Sequence, residues 1–241
     1  MSGHSKWSTI KHKKAINDNR RGQQFTKLAK VITIASREGG PDTETNFKLR
    51  LAIDKARQFN MPNSNIDRAV EKGSGKVDGE GLHEAIYEGY GPEKVALIIE
   101  AVTDNKNRTV AEIKNYLEKS GGVLGQSGSV MYLFDKKGIL SIKKGAEPEE
   151  QMLKIMDLEV DEVEMEGELI IVLTAPNLLM NVREKITKLG YTIESAELSY
   201  QAKSSLSLTN DKREGLEAFF DSLDELQDVT NIYSNLEELD D

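Results

Sequence analysis

The stretch LHEAIYEGYGPEKVALIIEAV, residues 82–102, decides the fold class. Its two parts, Leu82–Tyr90 and Val95–Val102, are short and rich in apolar and aromatic residues, and Gly91-Pro92 between them is a turn signal. The second part lies within the most apolar strand candidate of the chain, KVALIIEAV. The stretch therefore predicts two strands of a sheet that are joined by a turn.

The residues that follow predict a helix and then a complete second α/β unit. A helix is expected from Arg108 to Ser120 and a strand from Val130 to Phe134, with a loop rich in glycine and serine between them. Residues 136–203 then show the order β-α-β-β-α-β, which is the ferredoxin-like arrangement with two helices on one face of an antiparallel sheet. These elements are expected at 139–143, 148–156, 160–165, 168–174, 177–189 and 192–200.

The C-terminal segment supplies the elements that the first sheet still needs. A short strand is expected over residues 205–208, a helix over 211–226 and a last strand over 229–234. Domain two is therefore predicted to be discontinuous, with residues 82–135 and 204–241, and residues 136–203 are inserted in it as domain three.

The N-terminal residues predict a small helical bundle, domain one, over residues 1–76. Apolar residues recur at helical spacing from about Gln23 to the stop signal Gly39-Gly40-Pro41, and again over 45–59 and 64–72. The segment from Thr9 to Asn19 is polar and weakly amphipathic, so we expect a partner to order it. We predict an α+β protein of three domains: an N-terminal helical bundle followed by two ferredoxin-like α/β domains, the third inserted in the second.

The composition restricts the class of protein. The 241 residues are 38% hydrophobic and 30% charged with a net charge of −9, as in a globular protein of two or three domains. The chain has no cysteine, which excludes disulfides and thiolate metal sites. No apolar run approaches the ~20 residues that span a bilayer, and no apolar segment follows the basic N-terminus as in a secretory signal. We expect a cytoplasmic protein without a membrane partner.

The charge is distributed unevenly along the chain. Residues 1–76 contain 16 Lys and Arg against 7 Asp and Glu, a net charge of +9, whereas residues 77–241 contain 16 against 34, a net charge of −18. This asymmetry indicates an anion-binding module joined to acidic modules, and the commonest polyanion in a cell is nucleic acid. The alternative is a solvated basic surface that has no partner.

The positive charge is concentrated in SGHSKWSTIKHKKAINDNRRGQQFTKLAK, residues 2–30, where eight Lys or Arg face a single acid, Asp18. Lys and Arg bind phosphates by releasing condensed counterions, and arginine adds bidentate contacts. The sole tryptophan, Trp7, either stacks on an exposed base or packs back onto domain one. The predicted nucleic-acid-binding residues are Lys6, Trp7, Lys11, Lys13, Lys14, Arg20, Arg21, Lys27 and Lys30.

This basic stretch resembles the opening of the YebC family. The likeness continues in NMPNSNIDRAVEKGSG (60–75), YEGYGPEKVALIIEAVTDNKNRT (87–109) and SGGVLGQSGSVMYLFDKKG (120–138), and it covers essentially the full length. The resemblance implies a three-domain cytoplasmic protein with an N-terminal helical domain and two α/β domains. Members of the family are described as probable transcriptional regulators that bind DNA. Related members, including a mitochondrial translational activator of cytochrome oxidase, act on translation through the ribosome, and no catalytic activity is established for the family.

Asn105, Lys106 and Arg108 form a possible second anion site, because they lie where a strand leads into a helix. Backbone N–H groups at a helix start attract anions. The alternative, which these residue types favour, is a capped turn. The glycines of residues 121–128 match no phosphate-binding motif, so a flexible hairpin connection is expected there.

We expect no catalytic site, cofactor or metal site. The three histidines, His4, His12 and His83, lack the spacing of metal ligands, and no nucleophile and base form a recognisable pair. The chain has no Lys or Arg from Glu214 onward. That acidic end either solubilises the protein, which we favour, or folds over the basic domain and competes with nucleic acid.

The predicted function is therefore that of a non-enzymatic nucleic-acid-binding regulator of gene expression. The resemblance favours a DNA-binding transcriptional regulator. We expect a monomer, because the sequence shows no dimerisation element, and we expect no small-molecule substrate. A ribosome- or ribosomal-RNA-binding translation factor is the first alternative, because the acidic two-thirds of the chain would be repelled by a long duplex. A protein-interaction adaptor is the second alternative, and it would leave the basic stretch without a use.

Overall fold

The structure is a computed structural model that describes residues 18–75 and 81–237. Its helices and strands confirm the predicted α+β class. In chain order they are α1 (Asp18–Gly39), α2 (Phe47–Gln58), α3 (Asn63–Gly73), β1 (His83–Tyr90), β2 (Ala96–Thr103), α4 (Lys106–Lys119), β3 (Val123–Leu124), β4 (Phe134–Lys143), α5 (Pro148–Met156), β5 (Glu162–Glu166), β6 (Leu169–Thr174), α6 (Leu179–Lys188), β7 (Ile193–Ala202), α7 (Asn210–Arg213), α8 (Leu216–Asp224) and β8 (Val229–Ser234).

Helices α1, α2 and α3 form the predicted bundle around one apolar core. The stripe that the sequence shows in α1 contributes Leu28, Ile32 and Ala35 to this core, which also contains Leu49, Ala52, Ile53, Ala56, Met61, Ile66 and Ala69. At Gly73 the backbones of α3 and α1 approach so closely that a Cβ would lie 2.2 Å from the Thr33 carbonyl oxygen. Only glycine fits at this contact.

The first sheet has the strand order β3-β1-β2-β8. The predicted turn joins β1 and β2 as an antiparallel pair, in which Tyr90 lies opposite Ala96, and β8 pairs antiparallel with β2 on the other side. Leu97 and Ile99 of β2 point to the face that α4 and α8 cover, and they share a core with Ile113, Leu117, Leu216, Phe219, Phe220 and Leu223. Helix α1 packs on the opposite face, where Ile34 meets Leu82 and Val102.

The second sheet has the strand order β5-β6-β4-β7, and its elements follow the predicted β-α-β-β-α-β order. Both β5 and β4 pair antiparallel with β6, which lies between them. Alternate residues are fully buried along the central strands, as expected for one face of a sheet that helices cover: Leu140, Ile142, Ile170 and Val172, with Ile155, Val182 and Ile186 on the helices.

The described residues separate into two compact units. One contains the residues up to 135 and from 201 onward, and the other is Lys136–Tyr200. The finer division of the first unit at residue 76 into domains one and two, and the predicted boundary at residue 203, stay predictions.

Several boundaries differ from the predicted ones. Residues 130–134 form a 3₁₀ turn, Met131–Leu133, before β4 rather than a strand, because their backbone N–H groups are used by a buried carboxylate. The helix expected over 211–226 is divided into α7 and α8 at Gly215, whose φ of +88° is left-handed. Residues 205–208 contribute an isolated bridge, Leu206 with Leu236, in place of a strand.

The turn between β1 and β2 holds two strained residues. Glu93 and Lys94 have φ angles of +55° and +61°, and Val95 N–H donates to the Pro92 carbonyl oxygen at 3.2 Å. Two successive left-handed residues are the geometry of a type I′ turn, which favours Asn-Gly because other side chains are strained there. Residues with this backbone strain cost of order 1 kcal/mol each.

We therefore expect Lys94→Gly to raise the free energy of unfolding by about 1 kcal/mol. The physical reason is that glycine adopts a positive φ without a Cβ clash. Urea unfolding of the variant and of the wild type measures the difference. Lys114→Gly, in the middle of α4, is the contrasting variant and should lose about 1 kcal/mol. A Lys94→Gly protein that is less stable than the wild type would show that the turn is not strained.

Candidate nucleic-acid interface

The predicted nucleic-acid-binding residues divide into two groups in the structure. Lys6, Trp7, Lys11, Lys13, Lys14 and the side chain of Arg20 lie outside the described residues. Arg21, Lys27 and Lys30 lie on α1, which begins at Asp18, earlier than the predicted start near Gln23. The structure therefore gives the environment of the last three predicted residues only.

Arg21 is exposed, and its guanidinium carbon lies 5.5 Å from the centroid of the Phe25 ring. Phe25 in turn packs against the core of the bundle. A guanidinium over an aromatic ring is held by a cation–π contact that leaves its N–H donors available. Arg21 is therefore an exposed cation near the N-terminal end of α1.

Lys27 and Lys30, by contrast, are occupied by acceptors of the same chain. Lys27 is 4% exposed; its ammonium donates to the Asp224 carbonyl oxygen and lies 3.8 Å from Asp224 Oδ1. Lys30 Nζ donates to Asp228 Oδ1 at 2.7 Å. In the structure these two lysines join α1 to the C-terminal segment, and their role in nucleic-acid binding stays a prediction.

Asp228 is the centre of a buried polar cluster. Its carboxylate is 1% exposed, and besides Lys30 it accepts hydrogen bonds from Arg108 Nη2 and Thr109 Oγ1, both at 2.7 Å, and from Thr103 Oγ1 at 3.0 Å. Burial alone would raise the pKa of Asp228, but the hydrogen bonds from Lys30, Arg108 and Thr109 outweigh it and hold the pKa well below its usual range. Asp228 therefore stays charged and links α1, the start of α4 and the start of β8.

The second predicted anion site, Asn105, Lys106 and Arg108, is built as a capped helix start. The Asn105 side chain accepts from Arg108 N–H at 3.1 Å, which is the geometry of an N-cap. Arg108 is paired with Asp104 and Asp228, both at 2.7 Å, whereas Lys106 is exposed. The helix start thus has the geometry of the capped turn that the residue types favour, with Asp228 as the anion beside Arg108, and anion binding there stays a prediction.

Glu88 organises the glycine- and serine-rich loop that follows α4. Its buried carboxylate accepts from the backbone N–H groups of Gly128, Val130 and Met131 at 2.6, 2.8 and 2.7 Å. Burial raises the pKa of Glu88, but the three N–H donors more than offset it, so the pKa lies below its usual value. The loop is therefore held by a buried anion of the sheet.

We expect Glu88→Gln to lower the free energy of unfolding by about 1–3 kcal/mol, because one of the two accepting oxygens becomes a donor that faces backbone N–H groups. The sign of the pH dependence follows from the lowered pKa. The stabilisation by Glu88 is complete above the unfolded-state pKa of about 4.3 and is lost as the pH falls through the folded-state pKa. Unfolding in urea measures both effects. Glu71→Gln, at an exposed position, should change neither the free energy of unfolding nor its pH dependence. Equal free energies of unfolding for the two variants would contradict the role of Glu88 in holding the loop.

Metal centres and membrane-spanning helices are absent from the described residues. Within residues 18–75 and 81–237, no group of three or more His, Asp or Glu side chains is placed to hold a metal ion. No helix of these two ranges is both long and apolar enough to cross a membrane.

Comparison with known proteins places both parts of the chain in one family. The family model of the TACO1/YebC N-terminal domain matches residues 5–76, and the model of the TACO1/YebC second and third domain matches residues 82–236. Probable transcriptional regulatory proteins of Caldanaerobacter subterraneus subsp. tengcongensis and of Thermoanaerobacter pseudethanolicus are 45% identical over 240 residues and 46% identical over 239 residues. The alignments cover 98% of this chain in both cases, and 98% and 97% of the two relatives.

A solved structure agrees with this assignment. The crystal structure of a conserved hypothetical protein from Aquifex aeolicus has a TM-score of 0.85 to this chain and 40% sequence identity, over 98% of each chain. The resemblance seen in the sequence motifs is thereby confirmed over nearly the full length. The chain belongs to the TACO1/YebC family.

Proposed function

We propose that the protein is a non-enzymatic regulator of gene expression that binds nucleic acid through its basic N-terminal stretch. The observation that carries the proposal is the charge asymmetry, +9 over residues 1–76 and −18 over residues 77–241. A compact positive module on an acidic protein binds polyanions by counterion release. The names of the relatives, probable transcriptional regulatory proteins, support a regulatory role.

The proposed contact surface consists of Arg21 and of the predicted residues whose side chains lie outside the described part of the chain. Arg21 supports it, because its guanidinium is exposed. Lys27 and Lys30 are omitted, because carboxyl and carbonyl oxygens of the same chain occupy their ammonium groups. The remaining members are Lys6, Trp7, Lys11, Lys13, Lys14 and Arg20. The acidic α/β domains position this stretch or contact protein.

Two forms of the proposal differ in the nucleic acid. The names of the relatives favour a DNA-binding transcriptional regulator. A translation factor that binds the ribosome is favoured by the net charge of −18 on residues 77–241, since a long duplex repels such a body whereas a short basic segment can enter a confined RNA site.

Co-sedimentation with purified ribosomes, with random-sequence duplex DNA or with transfer RNA as competitor, separates the two forms. Pelleting with ribosomes that neither competitor reduces supports translation, and sequence-selective protection of promoter DNA in a footprint supports transcription. Absence of binding to ribosomes, to RNA and to DNA at low salt would overturn the proposed function and leave the adaptor role.

A further inference from the structure

Arg21 and Phe25 form a small platform near the start of α1, which we call the stacked pair. The guanidinium carbon of Arg21 lies over the Phe25 ring, 5.5 Å from its centroid. The two residues are about one turn apart on the helix, so their side chains project from the same side of it. The contact is therefore local to α1.

The two members of the stacked pair differ in burial. Phe25 is partly buried and packs against the core of the helical bundle, so its ring is held in place. Arg21 is exposed, and within the described residues no carboxylate pairs with its guanidinium. Because the ring covers one face of the guanidinium, the opposite face remains accessible to a ligand.

The contact with the ring restricts the Arg21 side chain before any ligand binds. An arginine side chain loses rotamer entropy when a ligand fixes it. The cation–π contact with Phe25 already favours the stacked geometry, so a ligand that fits this geometry binds at a smaller entropic cost. The stacked pair therefore presents a flat, charged surface to solvent.

A flat guanidinium is complementary to a nucleobase. Bases stack on guanidinium planes as they do on aromatic rings, and every base has a π-face, so the contact tolerates any sequence. A base inside a duplex has both faces covered by its neighbours, and only single strands, loops and ends offer an unstacked base. The geometry of the stacked pair is therefore suited to an unpaired base.

The charge of the chain agrees with this ligand. Arg21 belongs to the basic stretch of residues 2–30, whose lysines and arginines are the proposed phosphate contacts. Cations that follow the backbone and a surface on which bases stack are the two components of single-strand sites. Residues 77–241 have a net charge of −18, which disfavours a long duplex more than a short single strand.

We propose that the stacked pair binds an unpaired nucleobase, so that the nucleic acid bound by the basic stretch is single-stranded or looped and not a continuous duplex. This inference rests on the proposed function. Arg21 contributes a stacking face in addition to its charge, and Phe25 is the positioning residue. Single-stranded RNA and single-stranded DNA share this chemistry, so both serve as probes.

Arg21→Lys tests the stacking face, because lysine keeps the charge and lacks the planar group. Arg68→Lys, at an exposed position on α3 of the same bundle, is the matched control. Filter binding across salt measures the affinities for poly(U) RNA, poly(dT) DNA and a long random-sequence DNA duplex. Arg21→Lys should bind the single strands about 5- to 10-fold more weakly. Its duplex affinity should change by less than about twofold with an unchanged salt slope, because the charge is kept.

Phe25→Leu tests the positioning role of the ring. Leucine keeps an apolar side chain against the bundle core and removes the surface on which the guanidinium lies. The variant should weaken binding of the single strands and leave duplex binding unchanged, whereas a general loss of bundle structure would weaken both. Melting temperatures show whether the variants are folded, and Arg21→Lys alone decides the proposal if Phe25→Leu is not.

The outcomes separate this inference from the proposed function. Equal single-strand affinities of Arg21→Lys and Arg68→Lys, or an equal loss on single strands and on the duplex, would overturn the inference and leave the proposed function intact. Wild-type protein that binds none of the three nucleic acids would overturn both. A loss on poly(U) alone assigns the site to unpaired RNA, and equal losses on poly(U) and poly(dT) assign it to unpaired bases of either kind.

Discussion

Asp228→Asn is expected to lower the free energy of unfolding by about 3–5 kcal/mol, the largest loss that we predict for a single polar residue. The carboxylate accepts from Lys30 on one oxygen and from Arg108, Thr103 and Thr109 on the other. An asparagine replaces one of these oxygens with an NH₂ group that faces other donors. The charges of Lys30 and Arg108 then lose their common partner.

The pH dependence provides a second signature of Asp228. Because its folded-state pKa is lowered, the carboxylate stabilises the fold fully above its unfolded-state pKa of about 3.9, and the stabilisation is lost as the pH falls through the folded-state pKa. The variant should therefore lose less stability than the wild type on acidification below about pH 4. Urea unfolding followed by circular dichroism at several pH values measures this. Asp67→Asn, at an exposed position, is the matched control. An Asp228→Asn protein that is as stable as this control would show that the Asp228 cluster does not stabilise the fold.

Charge reversal of Lys11, Lys13 and Lys14 to glutamate is expected to weaken nucleic-acid binding roughly 100- to 1000-fold at about 0.1 M salt, since each phosphate contact contributes about 0.9 log units of affinity per log unit of salt. The free energy of unfolding should stay within about 0.5 kcal/mol of the wild type, as for surface substitutions. Anisotropy titrations with RNA and duplex DNA, and urea unfolding, measure the two quantities.

Two controls separate charge from folding. Reversal of the exposed Lys114, Lys119 and Lys188 alters the net charge by the same amount outside the basic stretch and should reduce binding far less. Leu28→Ala should show the converse behaviour, a loss of about 2–5 kcal/mol in stability, because Leu28 is 6% exposed in the bundle core. A triple variant that unfolds yet still binds would contradict the assignment of binding to Lys11, Lys13 and Lys14 and of stability to the core of the bundle.

Sequence patterns predicted the helix and strand boundaries that neighbouring residues determine. Pro148 at the start of α5 sets the boundary that the sequence predicts, and β8 has its predicted limits. The N-cap role of Asn105 was also visible as the alternative to an anion site. The division at Gly215 was missed, because an isolated glycine within a helical pattern is often tolerated.

The polar cluster at Asp228 depends on residues that are far apart in the chain. Asp228 is 120 residues from Arg108 and 198 residues from Lys30, so no spacing rule connects them. The burial of Lys27 is indicated by a pattern in the sequence. Val31 and Ile34 follow it at helical spacing and form a second apolar side of α1, which the predicted bundle did not include as a separate side. A helix with two apolar sides is packed on two sides, and its lysines at those edges are then partly buried.

The central claim, electrostatic binding of nucleic acid by the N-terminal stretch, is tested most directly by the salt dependence of binding. The logarithm of the association constant for poly(U) and for duplex DNA is plotted against the logarithm of the salt concentration for the wild type and for the Lys11, Lys13 and Lys14 charge-reversal variant. We predict a steep negative slope for the wild type and a slope reduced by about two to three for the variant. A flat wild-type slope, or equal slopes for the two proteins, would contradict the claim.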